Sequence, residues 1–275
     1  MSAAPVPPDP YTRDYFLEDC GGSEFFSRFG PKVLKPQLAY CLKRAGIGPG
    51  MRILDVGCGR GELLFAARAA GAGAVGTDFA APALALARET SGCPVLRCDA
   101  KSLPFAPETF DRVFLIGVAD HLLDWELERC FSEIGRVLKP EGFAVVHTCA
   151  NRLYYKVWSY RARAFLARAL SLVRFPVRLP SPPRSDSDAI LHINEHSVAD
   201  LVLFFKRIGW QAQVEPRPNY KLVVRDLYPE PLPPDFPLRP APAWRARLYL
   251  SLLFHWPLSL FLGRELFAVA RPKRV

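Results

Sequence analysis

Three glycines at every second position, followed by two acids at regular intervals, are the residues of this chain most able to do chemistry. Gly57, Gly59 and Gly61 come directly after the apolar run Ile53, Leu54 and Val56, and the chain resumes as a helix from Glu62 to Ala70. A glycine-rich turn from a buried strand into a helix offers free backbone N–H groups and the positive end of the helix dipole to a ligand above the strand ends. Asp78 closes a second apolar run, 17 residues past Gly61, and Asp99 closes a third. An acid at the tip of the second strand of a doubly wound sheet is placed to hold a ribose diol. A lone glycine turn is shared by several chemistries, so the spacing of the acids carries the weight.

With these acids in place, five segments resemble the class I S-adenosylmethionine-dependent methyltransferases: DVGCGRG at 55–61, GTDFA at 76–80, RCDAKSLPF at 97–105, FDRVFLIGVADHL at 110–122 and RVLKPEGFAVV at 136–146. They occur in the family's order across residues 40–150. The third glycine lies one residue too early for a dehydrogenase fingerprint. The resemblance implies S-adenosyl-L-methionine as cofactor. Asp55 and the backbone of Gly57, Cys58 and Gly59 would then hold its methionine part, and Asp78 its ribose hydroxyls. Phe79 would stack near the adenine, Asp99 and Ala100 would read the adenine edge, and Gly117 would complete the cofactor wall. It also implies a doubly wound, mostly parallel seven-stranded α/β sheet with a helical insert after the fifth strand.

The elements that must position these residues can be read from the pattern. Helices are expected at 31–45, 82–90, 125–138 and 198–208, the last capped by Ser197. Strands are expected at 110–117, 143–148 and 210–214, with ELFAVA at 265–270 as a last strand lying antiparallel at the sheet edge. Alternating strands and helices of this kind build a parallel sheet with right-handed crossovers and ligands over its C-terminal strand ends. The chain divides into a leader and lid segment at 1–30 and a methyltransferase domain at 31–275, the domain carrying inserts at 151–190 and 225–262. MSAAPVPPDP lacks the apolar core of a signal peptide and reads as a disordered leader. In the aromatic segment 11–29, Tyr11 or Tyr15 could lie over the reacting methyl group, or the segment could simply pack on the sheet.

An acceptor that must lose a proton needs a base, and a histidine has its unperturbed pKa near neutrality. Candidates are His121, His147 and the cluster His192, Glu195 and His196; an acceptor needing no enzymic base is the alternative. No metal is expected, because the 192–196 cluster lacks a third ligand in sequence. The seven cysteines form no C-x-x-C pair, which argues against a disulfide framework and for a reducing cytoplasm.

A net charge of +9 and a pI near 9.3 point to an acidic partner or to plain arginine enrichment. Between Gly142 and Ser185 there is no acid, while Arg152, Lys156, Arg161, Arg163, Arg168, Arg174, Arg178 and Arg184 are all basic. On one helix, Tyr155, Trp158, Ala162, Phe165, Leu166, Ala169 and Val173 share a face and Arg152, Lys156, Arg163 and Arg174 another. That pattern suits either peripheral contact with the inner face of an anionic membrane or a cap helix over the site. Residues 248–262 are apolar but short of the ~20 needed to span a bilayer; a membrane-dipping hairpin or a buried helix remains. The expected acceptor is therefore a small molecule or a lipid-linked intermediate. Alternatives are a nucleic-acid methyltransferase, disfavoured by the lack of an Asn/Asp-Pro-Pro-aromatic base-flipping motif, and a non-catalytic membrane adaptor that merely binds cofactor.

Overall fold

The structure is a computed structural model that describes residues 5–7, 9–149, 151–172, 174, 176–180, 182, 190–218, 220–228, 232, 236 and 238–273. A seven-stranded sheet forms its centre: β1 (Arg52–Val56), β2 (Gly73–Asp78), β3 (Val95–Arg97), β4 (Phe110–Ile116), β5 (Leu138–Cys149), β6 (Trp210–Arg217) and β7 (Glu265–Pro272). The spatial order is β3-β2-β1-β4-β5-β7-β6. The first five strands run parallel, and β7 is inserted antiparallel between β5 and β6. The expected sheet is therefore present, with its last strand one place in from the edge.

After α1 (Ser23–Phe29), which packs Phe25 against Val224 and Phe236, helices α2 (Pro36–Ala45), α3 (Glu62–Ala69), α4 (Ala81–Ser91) and α5 (Asp124–Val137) cover the parallel half. Strand alternation divides its side chains between two cores. Leu54 and Val56 face one core with Leu127, Phe131, Ile134, Phe205 and Trp210. Ile53 faces the other with Leu64, Cys41, Phe114 and Phe267. Strand order reverses between β1 and β4, which opens a crevice above their C-terminal ends, where doubly wound sheets bind ligands.

The insert departs from the single amphipathic helix that its spacing suggests. It breaks at Ser159 into α6 (Tyr155–Trp158) and α7 (Tyr160–Leu172). Ala167 of α7 is buried, whereas Phe165 is 75% and Trp158 64% exposed. The expected apolar face is thus turned outward. Arg152 leaves the expected basic face by pairing with Asp200 at 2.9 Å. Half of the proline- and serine-rich connector at 176–187 lies outside the described residues. Next comes α8 (Val198–Arg207), whose N-terminal N–H of Asp200 bonds the Ser197 hydroxyl at 3.2 Å, a capping bond that the sequence foretold. Residues 248–262 do not form a buried helix: they contribute to α10 (Ala243–Leu252) and α11 (Ser259–Leu262), which follow the single turn α9 (Val224–Leu227), and Leu252 and Trp256 stand exposed. Among the described residues, no helix is long and apolar enough to cross a membrane.

Candidate active site

The site begins where β1 ends. Gly57, Gly59 and Gly61 all take positive φ, 76°, 49° and 82°. The Gly57 and Cys58 N–H groups donate to the Thr77 carbonyl at 2.7 and 2.9 Å, tying the turn to β2. A side chain at Gly57 would meet the Val118 methyl at 2.4 Å, and one at Gly61 would meet the Ala87 Cα at 2.7 Å. Glycine at 57 thus keeps backbone against the cavity, and at 61 it lets α3 approach α4.

That turn forms the floor of a cavity of about 370 Å³. Asp55 and Asp78 stand in its wall, both buried. Burial, reinforced by the neighbouring Asp78 and Glu62, pushes the Asp55 carboxyl up to about 7. Burial also raises Asp78, although N–H groups of Ala80 and Gly59 donate to its two oxygens at 2.9 and 3.1 Å. Two carboxylates in so dry a wall call for a positive charge beside them and for hydroxyl donors on their remaining lone pairs. S-adenosylmethionine offers a sulfonium, an ammonium and a ribose diol, so this donor set fits it. Asp99 and Ala100 lie further along the wall with Phe79, Cys58 and Gly117; Lys101 bridges Asp99 and Glu126 at 2.9 and 2.8 Å.

The roof comes from the N-terminal segment. Pro5, Val6, Tyr11, Tyr15 and Phe16 all line the cavity, so the stretch expected as a disordered leader contributes wall at its described residues. Tyr11 is buried, packs edge-on to Phe79 with ring centroids 5.0 Å apart, and places its hydroxyl 2.5 Å from His121 Nδ1. Arg60, in the glycine turn itself, holds this roof down. Its guanidinium donates to the carbonyls of Phe16 (2.6 Å), Cys20 (3.2 Å) and Gly21 (3.0 Å), and its Nε pairs with buried Glu62 at 3.0 Å.

Residues 54–146 match the family model described as a methyltransferase domain. That match spans about a third of the chain, so residues 54–146 carry a methyltransferase domain, on the fold that the chain shares with solved methyltransferases. It is 34% identical over 133 residues to the "Probable tRNA methyltransferase 9B" of Mus musculus, across 45% of this chain and 28% of that protein. It is 36% identical over 136 residues to the demethylmenaquinone methyltransferase of Mycobacterium sp. strain KMS, across 46% of this chain and 56% of that one. The chain thus spans between about a quarter and a little over half of the length of these two relatives. The phosphoethanolamine N-methyltransferase 2 of Haemonchus contortus, solved with S-adenosyl-L-methionine, shares the fold with a TM-score of 0.56 at 21% identity, covering 95% of this chain and 60% of that one.

All nine residues that the methyltransferase resemblance assigned to cofactor lie on one cavity, and so does His121. The other base candidates lie elsewhere. Glu195 and His196 are not on the cavity wall: His196 is buried against α8, its carbonyl accepting from the Arg152 N–H at 3.0 Å, and burial holds its imidazole below the usual histidine range. His147 is buried beside Glu265 at 2.8 Å. No described residue of 151–190 lines the cavity, so the cap role falls to the N-terminal segment. Arg60 is the functional residue that sequence reasoning passed over. Its one signal was a bulky cation inside a glycine turn, where small residues are the rule.

Proposed function

We propose that this chain transfers a methyl group from S-adenosylmethionine to a small-molecule or lipid-linked acceptor, met at an anionic membrane surface. The observation that carries the transfer reaction is the roofed cavity, lined by the two buried acids Asp55 and Asp78 and by the Tyr11–His121 contact. The cofactor supplies an electrophilic methyl group. Asp55 would balance its positive charge, Asp78 would hold its ribose, and the aromatic roof would exclude water. At the acceptor end, His121 is placed to receive a proton from an acceptor hydroxyl, and Tyr11 fixes the ring's orientation through Nδ1. Relatives named for demethylmenaquinone methylation support a small organic acceptor.

The surface supports the lipid part. Lys156, Arg163, Arg178 and Arg264 line a second cavity of about 870 Å³, walled also by Tyr154, Leu166 and Leu170, beside the exposed Trp158 and Phe165. Cations interleaved with exposed aromatics match a lipid surface better than a nucleic-acid backbone. A relative named for tRNA keeps the second reading in the test. The protein would be incubated with methyl-labelled cofactor and either lipid extract or RNA, and sedimented with anionic liposomes alongside Lys156→Glu/Arg163→Glu. Label in the organic phase, with sedimentation lost in the variant, is the expected result. Label in RNA, or liposome binding that the variant keeps, overturns the lipid reading.

A further inference from the structure

Behind the Tyr11–His121 contact, three side chains converge that the mechanism above does not use together. Asp120 and His121 are adjacent on the short 3-10 turn Ala119–His121, and His192 reaches the same point from 72 residues later. His192 Nε2 lies 3.2 Å and His121 Nε2 3.8 Å from the same oxygen, Asp120 Oδ2. One ligand atom from each residue falls within 4.8 Å of the others, and the two imidazole centroids are 5.1 Å apart. We propose that Asp120, His121 and His192 form a binding site for one divalent transition-metal ion of the zinc class.

The separations suit the ion. Zinc bonds to nitrogen and carboxylate oxygen are ~2.0–2.2 Å, so ligands around a tetrahedral ion stand roughly 3.3–3.6 Å apart. The two contacts to Asp120 bracket that range, and small side-chain rotations reach it. Two histidines and one carboxylate leave at least one coordination position free, the pattern of a reactive rather than a structural ion.

Each ligand is also held from behind, as metal ligands characteristically are. The Thr148 hydroxyl donates to Asp120 Oδ1 at 3.2 Å, leaving Oδ2 turned to the histidines. The Tyr11 hydroxyl sits at His121 Nδ1, so Nε2 faces the ion. The His192 segment is pinned by the Asn194 N–H, which donates to the Asp120 carbonyl at 3.0 Å, and by the Asn194 side chain, which donates to the Leu122 carbonyl at 2.9 Å. Asp120 is 1% exposed, and a hydroxyl and two imidazoles, none a permanent cation, surround its carboxylate. A divalent ion would supply the charge that such a buried carboxylate calls for. The ligand set joins His121 to His192 across 71 residues, outside the 192–196 cluster on which no metal was expected.

The consequence for the reaction rests on the methyltransferase reading; the binding does not. His121 lines the main cavity, so an ion held on its Nε2 would stand at the acceptor end. It would favour an acceptor with an ionisable hydroxyl or enol oxygen and would lower that oxygen's pKa. Nε2 cannot hold a metal and act as base at once, so occupancy of the site excludes base chemistry at that nitrogen.

The test is zinc titration of chelator-treated full-length protein against a chromophoric competitor. His192→Ala and Asp120→Asn are compared with the parent, and S-adenosylmethionine binding serves as the folding control for His192→Ala. One equivalent of zinc is expected, with affinity falling at least about tenfold in each variant. X-ray absorption at the zinc edge of the unmutated protein reads the ligands directly and does not depend on either variant folding. Two imidazoles among nitrogen and oxygen ligands are expected there. No saturable binding, affinity unchanged by His192→Ala, or a coordination shell with thiolate or without imidazole overturns the site. Loss of methyl transfer with zinc binding intact counts against the proposed function and leaves the site standing.

Discussion

The parallel half of the sheet and the inserted segments after β5 follow opposite rules. From β1 to β5 the molecule buries charge and partners several of these groups: Arg60 with Glu62, Lys101 with Glu126, and Asp78 with two backbone N–H groups. From Tyr155 to Leu262 it leaves large apolar groups outside, among them Phe165, Leu172 and Trp256. Buried polar groups are costly unless paired, so they persist where they shape a site. Exposed apolar clusters are uncommon on monomers, so they mark a surface that meets something. On the proposed function, one half would hold the reaction and the other would face the acceptor's surroundings.

That contrast breaks most severely at Arg60. Arg60→Ala would leave Glu62 buried without its cation and release the carbonyls of Phe16, Cys20 and Gly21. Removing one partner of a buried pair costs about 3–5 kcal/mol. Denaturant unfolding should show a loss of that size, and limited proteolysis should cut ahead of α1. The double change Arg60→Met/Glu62→Leu should recover much of the stability without the roof; if it does not, the guanidinium's bonds to the roof outweigh the ion pair.

Asp78→Asn comes next. The amide accepts at only one of the two positions that Ala80 and Gly59 use, and it loses the charge that would hold a ribose diol. A hydrogen bond to a charged group contributes about 1.5–3 kcal/mol, so calorimetry should show cofactor affinity lowered roughly 10- to 150-fold. Unchanged affinity would move the ribose elsewhere.

Asp55 sharpens the comparison through pH. Its carboxyl is raised from an ordinary 3.8 to about 7, chiefly by burial. Between those values the folded state holds a proton that the unfolded chain has lost. The contribution is therefore fully present below pH 3.8 and is lost as pH rises through about 7. Thermal melts of the cofactor-free protein should fall across that window, and Asp55→Asn should flatten the fall and melt higher than the parent at pH 8. Cofactor binding should show the reverse trend in the parent, tightening as Asp55 ionises toward pH 8, since its partner is a cation.

How much of this was legible in the sequence follows the same division. The glycine turn, the strand-end acids and the antiparallel last strand could be read because local sterics and a two-residue period dictate them. The nine cofactor positions fell on one cavity because they are tied to strand ends. Contacts between distant segments were not legible. Tyr11 meets His121 across 110 residues, and nothing local in either sequence announces it. Arg60 reads as an ordinary surface cation until the carbonyls of 16–21 fold over it. The insert misled for a different reason: its helical period is real, but periodicity gives a face without saying whether that face turns toward the protein or away from it.

Two phenylalanines on helices give the sharpest form of the contrast, and the exposed one gives the smallest expected stability effect. Phe131 of α5 is 1% exposed, and its ring meets Phe204, Phe205 and Trp210 edge-on. Phe165 of α7 is 75% exposed. Phe131→Ala should cost about 3–5 kcal/mol, whereas Phe165→Ser paired with Leu172→Ser should stay within about 0.5 kcal/mol of the parent. On the proposed function the surface pair would act in docking: liposome sedimentation should drop for the Phe165/Leu172 variant at unchanged melting temperature. If melting falls instead, the outward face of α7 is packed in solution, and the division between a reacting half and a docking half no longer holds.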